Sequence, residues 1–265
     1  MLKDITLGQY FPGNSFLHKL DPRTKILFVI LFLVGLFQAA GWLGYGASAL
    51  LVLFCIRISR LKAKSIFKGL RPMLVIIALT AVLNLFYTKG TPVAEGWPIT
   101  WEGIDRAAKM MLRITLLIAS TFLLTYTTSP MALTDGLEQL LGPLKKLRFP
   151  VHEITMMMSM ALRFIPTLIE ETDKIMSAQR ARGADFESGS LLRRAKALLP
   201  ILVPLFVSSF RRADELAVAM ESRCYQGGEG RTRMKQLKME GRDVLTLLFG
   251  LLFVAGMIVL KKFGL

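Results

Sequence analysis

From Ile26 to Ile56 the chain carries no charged residue. A membrane helix needs roughly 20 mostly apolar residues, and a chain crossing lipid must satisfy every backbone polar group within a helix or a closed barrel. This run is long for one crossing and short for two. The cluster Gly41 to Gly46, GWLGYG, places three glycines inside it, where the chain can turn tightly. Charge separates the possibilities. Arg57, Arg60, Lys62, Lys64, Lys68 and Arg71 follow the run with no acidic residue among them, so the positive-inside tendency places that loop in the cytoplasm. Lys3, Lys19, Arg23 and Lys25 place the amino-terminal segment on the same side. Both segments are inside only if two spans lie between them. A four-span count stays open, because it hinges on the glycine-rich turn.

A third span is expected over Pro72 to Thr88 and a fourth over Ala107 to Thr127. The loop between them holds Lys89 against Glu95, Glu102 and Asp105, with Trp97 and Trp101, which reads as an outer face. Arg113, within the fourth span, either snorkels to the outer interface or faces a partner. The last span is Val244 to Leu260, ending at Lys261 and Lys262. The expected fold is therefore an all-α integral membrane protein with about five transmembrane helices. It is multi-pass in the cell membrane, with the amino terminus cytoplasmic and the carboxyl terminus outside. Residues 1–127 form the amino-terminal membrane region with about four spans, 128–243 the cytoplasmic region, and 244–265 the final transmembrane helix.

Composition agrees with this class. The chain is 53% apolar with a net charge of +15. The basic excess does not point to nucleic acid, because the chain lacks the aromatic–basic interleaving that stacks bases. Cys55 and Cys224 lie in unlike surroundings, which argues against a disulfide framework. With His18 and His152 they have no familiar metal-ligand spacing. The first 25 or so residues contain Asp4 and Asp21 and lack a signal-peptide pattern. In HKLDPRTK, Asp21 suits a helix cap and Pro22 the first helical position. A capped helix start anchored at the headgroups by Arg23 and Lys25 accounts for that segment.

The region between the last two spans is too long for a plain loop. From His152 to Arg182, apolar residues such as Ile154, Met158, Leu162, Ile165, Leu168 and Ile169 recur every three or four positions, the mark of an amphipathic helix. Pro166 is expected to bend it. A second long helix runs from Ser190 to Arg223. Its apolar part, Ala197 to Val207, is too short to cross a bilayer and contains Pro200 and Pro204. That part either dips against other helices or lies at the interface. A shorter helix, about Met131 to Leu147, comes first and leads to Lys145, Lys146 and Arg148. The run Glu229 to Met239 reads as a basic, headgroup-facing linker to the last span.

Both long helices finish on an arginine between small residues: Ala181, Arg182, Gly183 in the first and Ser222, Arg223, Cys224 in the second. Two readings stand. One is a pair of capped helix ends, with glycine as terminator and arginine complementing the helix dipole. The other is a pair of docking tips. Small neighbours admit each tip to a groove, where its guanidinium forms a forked pair with a carboxylate.

With LDPRTK at Leu20 to Lys25, QRARGAD at Gln179 to Asp185, AMESRCY at Ala219 to Tyr225 and this order of spans, nearly the whole chain resembles the transmembrane T components of energy-coupling factor (ECF) vitamin and metal transporters. The resemblance implies that the two long cytoplasmic helices are coupling helices. Arg182 and Arg223 would each dock into one of two ATP-binding-cassette ATPases. Cys224 stands where that family usually has glycine, which puts the local backbone geometry in question. The implied function is a non-catalytic coupling subunit of an ATP-driven importer. It would pass ATPase motion to a membrane-embedded substrate-binding S component for vitamin or other micronutrient uptake. Met156, Met157, Met158 and Met160 would suit an adaptable surface for different S components, or simple helix packing. ATP and Mg would belong to the partner ATPases, since this chain has no G-x-x-x-x-G-K-[ST] phosphate loop; it carries no cofactor of its own. Two alternatives compete. An integral-membrane enzyme would have only Glu170, Glu171 and Asp173 as an acidic cluster on the first long helix. A self-sufficient permease would have only Asn84 and Gln38 within its spans.

Overall fold

The computed structural model describes residues 10–61, 63–92, 99–147, 149–186, 190–227 and 237–263. The expected features at Lys3, Lys62, Glu95, Trp97 and Arg148, and most of the run Glu229 to Met239, lie outside them. The described residues form helices α1 (Phe16–Lys19), α2 (Pro22–Gln38), α3 (Trp42–Ser59), α4 (Ala63–Leu70), α5 (Leu74–Tyr87), α6 (Trp101–Thr127), α7 (Pro130–Leu140), α8 (Val151–Ala181), α9 (Leu191–Glu221) and α10 (Gly241–Lys262). They fall into two compact units, one of Gly8–Leu140 with Gln236–Leu265 and one containing Leu141–Lys235.

In the first unit α2 is central, packed against α10, α7 and α6. Glycine makes the α2–α10 approach possible: a Cβ on Gly35 would lie 2.7 Å from the Phe253 ring, and one on Gly250 would lie 3.0 Å from Leu31. Small residues at such crossings let helix backbones close in membranes, where packing rather than water expulsion holds helices together. Phe32 stacks on Phe253 at 5.7 Å. Around this contact Leu36, Tyr45, Leu116, Leu123, Tyr126 and Met257 complete a buried core. Large apolar side chains point outward as well, Leu50 at 69%, Val75 at 74% and Leu252 at 70% exposure. That pattern is costly in water and expected against lipid.

Four stretches are long and apolar enough to cross a membrane: Trp42–Ser59, Ser65–Tyr87, Trp101–Thr127 and Gly241–Lys262. α2 has 17 residues and falls just short by length. Its ends nevertheless lie level with those of α10. At one end the Asp21 backbone N–H donates to Asp243 Oδ1 at 2.9 Å. At the other, Lys261 Nζ donates to Gln38 Oε1 at 2.8 Å. α2 therefore runs alongside α10 from one face of the unit to the other.

Several local expectations are revised. The break between α2 and α3 falls at Ala39–Gly41, with Gly41 as N-cap and Trp42 already helical. Gly44 and Gly46 lie inside α3, because a short link suffices to reverse the chain. The basic loop after α3 contains a helix, α4, whose Ile66 and Leu70 are buried. Tyr126 Oη reaches its Ser65 carbonyl at 3.4 Å. The single helix expected over Met131 to Leu147 is two pieces, α7 and a 3₁₀ segment, Gly142–Leu147. Gly142 and Pro143 disfavour a continuous α-helix there. Arg113 both reaches toward the helix end and has partners. Its guanidinium donates to the Ala39 carbonyl at 3.3 Å and lies 5.7 and 5.5 Å from the Phe37 and Tyr45 rings.

Candidate docking site

α8 forms where the periodicity predicts it and α9 where the apolar run and the charged residues after it place a second long helix, both within two residues of the expected limits, and the two pack on one another. Pro166 lies within α8, and Pro200 and Pro204 within α9. Glu171 braces the pair. Its carboxylate accepts from the Ser208 hydroxyl and from Arg212 Nη2 at 2.9 Å. The Ser208 hydrogen bond, with the Arg212 charge, holds the Glu171 carboxyl below the usual carboxylate range. The Tyr225 hydroxyl, just beyond α9, donates to Met156 Sδ on α8 at 3.2 Å. Met156, Met157 and Met160 line a groove of about 390 Å³ between the helices, with Phe164, Leu216 and Met220. Met158 is 43% exposed beside it. In Ala197 to Val207, Ile201 is buried, while Leu202, Val203, Phe206 and Val207 are exposed.

The two helix ends are built alike. After α8, the Gly183 N–H donates to the Arg180 carbonyl and the Ala184 N–H to the Gln179 carbonyl, both at 3.0 Å. After α9, the Cys224 N–H donates to the Glu221 carbonyl at 2.9 Å and the Tyr225 N–H to the Met220 carbonyl at 3.0 Å. These are the two bonds of the Schellman motif, which satisfies the last carbonyls of a helix by turning one residue left-handed. That residue is Gly183 at φ +86° in one end and Cys224 at φ +56° in the other. Cys224 thus adopts the backbone that glycine adopts at the first tip.

Arg182 and Arg223 consequently occupy the same position, the last residue before the left-handed turn. Both are exposed, and among the described residues neither guanidinium has a polar partner. Their neighbours leave space. Nothing lies within 4 Å of the position a Gly183 Cβ would take, and the Ser222 hydroxyl is turned back to the Ala219 carbonyl at 3.1 Å. Each tip therefore presents an exposed guanidinium with five N–H donors. The structure brings Ala181, Arg182 and Gly183 together at one tip and Ser222, Arg223 and Cys224 at the other.

A second polar cluster was not evident in the sequence. Asp243 accepts from the Asp21 N–H and, through Oδ2, from the Glu240 N–H at 2.8 Å. Asp21 caps α2 through the Arg23 N–H. Buried Lys25 donates to the Thr127 carbonyl at 3.0 Å and to Thr128 Oγ1 at 3.2 Å. Arg23 Nη2 donates to the Leu237 carbonyl at 2.8 Å. LDPRTK is thus more than an anchored helix start: it ties the starts of α2 and α10 to the end of α6. The local signal was Asp243 at the third position of a helix opened by Glu240, a capping-box spacing. Nothing local indicates that Asp243 also serves Asp21.

The family model described as "Cobalt transport protein", CbiQ, matches residues 13–234. An "Energy-coupling factor transporter transmembrane protein EcfT" of Clostridium kluyveri is 55% identical over 258 residues, 96% of each chain. The protein of that description from Thermosediminibacter oceani is 54% identical over 97% of this chain and 98% of its own. The one from Lactococcus lactis subsp. cremoris is 47% identical over 92% and 93%. With similarity of this extent carried by helical, membrane-type architecture, the chain belongs to the CbiQ/EcfT family of energy-coupling factor transporter transmembrane proteins.

Proposed function

We propose that this subunit transmits motion from ATP-hydrolysing partners to a separate substrate-binding membrane protein, with Arg182 and Arg223 as its two points of attachment. The observation that carries this reading is the equivalence of the two tips: the same capping hydrogen bonds, the same left-handed turn, and an exposed, unpartnered arginine at the same position. A helix end needs no arginine to be capped; the dipole interaction is worth only about 0.3–1 kcal/mol. Two identical cationic tips suit two similar grooves, as on a pair of ABC-type ATPases, where each arginine would meet a carboxylate. Ala181, Gly183, Ser222 and Cys224 would allow close entry. ATP and Mg would be bound by those ATPases.

The uncovered face of α9 (Leu202, Val203, Phe206 and Val207) and the methionine-lined groove beside α8 would meet an S component carrying a vitamin or other micronutrient. In this arrangement the amino terminus and the Leu141–Lys235 unit are cytoplasmic. The test is the double variant Arg182→Ala/Arg223→Ala in the complete transporter. It should insert normally and lose ATPase copurification and uptake, because truncating one member of a desolvated charge pair costs about 2–5 kcal/mol. Uptake at the unmodified rate by the double variant would refute the docking role.

A further inference from the structure

We propose that the membrane unit holds one acyl chain of an anionic phospholipid in a pocket between α1, α2, α3, α6 and α10, with the headgroup phosphate at the basic end of α3. The pocket encloses about 270 Å³, and its walls include Phe28, Phe32, Val52, Cys55, Leu124 and Phe249. The few polar side chains on the wall are already engaged. Lys25 Nζ is held by the Thr127 carbonyl, Thr128 Oγ1 and the His18 carbonyl. The Ser120 hydroxyl donates to the Leu117 carbonyl, Thr127 to the Leu123 carbonyl and Thr246 to the Arg242 carbonyl. The ammonium and hydroxyl donors on the wall are thus spent within the protein, and a buried water needs two or more partners. The site is therefore suited to hydrocarbon.

The occupant follows from the surroundings. α3, α6 and α10 are each long and apolar enough to span a membrane, so the medium beside them is lipid. The lining residues lie in the later turns of α3 and α6 and the early turns of α2 and α10, which places the pocket at one end of the bundle. That end also carries Arg57 in the last turn of α3 and Arg60 at its C-cap. Both are exposed and, among the described residues, neither has an acidic partner. Nearby carboxylates are committed, Asp21 and Asp243 to backbone N–H groups and Glu240 to Arg242 at 3.2 Å. An apolar slot at the end of the bundle that carries these two guanidinium groups has the charge and polarity order of an anionic lipid.

The test uses the full chain in phosphatidylcholine nanodiscs doped with phosphatidylglycerol bearing a diazirine on its acyl chain. After photolysis, adducts are expected on Phe28, Leu124 and Phe249 in excess of those on Val75 and Leu79, exposed residues of α5. Filling the pocket by Cys55→Phe, or independently by Ser120→Leu, should lower the pocket adducts about tenfold and leave the α5 adducts unchanged, which also reports that the fold is intact. Arg57→Gln/Arg60→Gln should abolish the preference for this probe over its phosphatidylcholine equivalent. Pocket adducts no more frequent than those on α5, or unaffected by both filling variants, would overturn the site. Equal labelling by the two probes with both arginines present would overturn the headgroup assignment.

Discussion

Cys224 and Gly183 hold the same backbone position with unequal ease. A left-handed residue bearing a β-carbon costs about 1–2 kcal/mol relative to glycine, and Cys224 bears that strain at φ +56°. The turn survives because two capping bonds and the Tyr225–Met156 contact hold it. Cys224→Gly should therefore tighten the α9 tip and leave Arg223 in place. Cys224→Val, β-branched and worse in this conformation, should loosen the tip by about 1–2 kcal/mol. Hydrogen exchange at the Tyr225 amide, which donates to the Met220 carbonyl, reads this directly: slower with glycine, faster with valine. Unchanged exchange in both variants would mean that the left-handed turn does not govern the tip.

Among the helices, α8 and α9 depend on a polar brace as well as on their apolar stripes. Glu171 is stabilised as a carboxylate by Ser208 and Arg212, so its folded pKa lies below its unfolded value. The sign follows from linkage. The brace contributes fully above the unfolded carboxylate pKa of about 4.3 and is lost as pH falls through the lower folded value. The α8–α9 pair should thus loosen on acidification below about pH 4, and Glu171→Gln should flatten that dependence. Circular dichroism or exchange across α8 as a function of pH checks it; an identical acid profile in Glu171→Gln would remove Glu171 from the brace. The stripe on α8 was legible from sequence because apolar spacing is a local property. The helix α4 was not: its short stripe of Ile66 and Leu70 is hidden among cations that dominate composition. The break at Gly142 was missed because apolar and basic residues continue across it. The Asp21–Asp243 bond joins residues 222 positions apart, and no periodicity reports such a pairing.

For the molecule as a whole, the open question in the sequence was whether the uncharged run from Ile26 crosses once or twice, and length alone does not decide it. α2 is shorter than α10 and begins with two cations, yet it is held against α10, α7 and α6, with Phe32, Gly35 and Leu36 buried. It need not match the hydrocarbon thickness residue by residue, and Lys25 is hydrogen-bonded rather than exposed to the hydrocarbon. The polar ties supply the missing level marks. Asp21, Lys25, Thr127 and Asp243 meet at one face of the unit. At the other, Arg113 meets the Ala39 carbonyl, Trp42 Nε1 donates to Asp105 at 2.7 Å, and Lys261 meets Gln38. The starts of α2 and α10 with the end of α6 therefore share one side, and the ends of α2 and α10 with the starts of α3 and α6 share the other. With α2 counted beside the four longer apolar stretches, five crossings are expected, an odd number, which would put the two ends of this unit on opposite sides of the membrane. In a Cys55→Ser/Cys224→Ser background, a cysteine at Lys262 should react with an impermeant maleimide applied to intact cells. One at Asn14 should react only after permeabilisation. Labelling of both from the same side would mean that α2 does not cross. It would also remove the parity on which the cytoplasmic location proposed for both arginine tips depends.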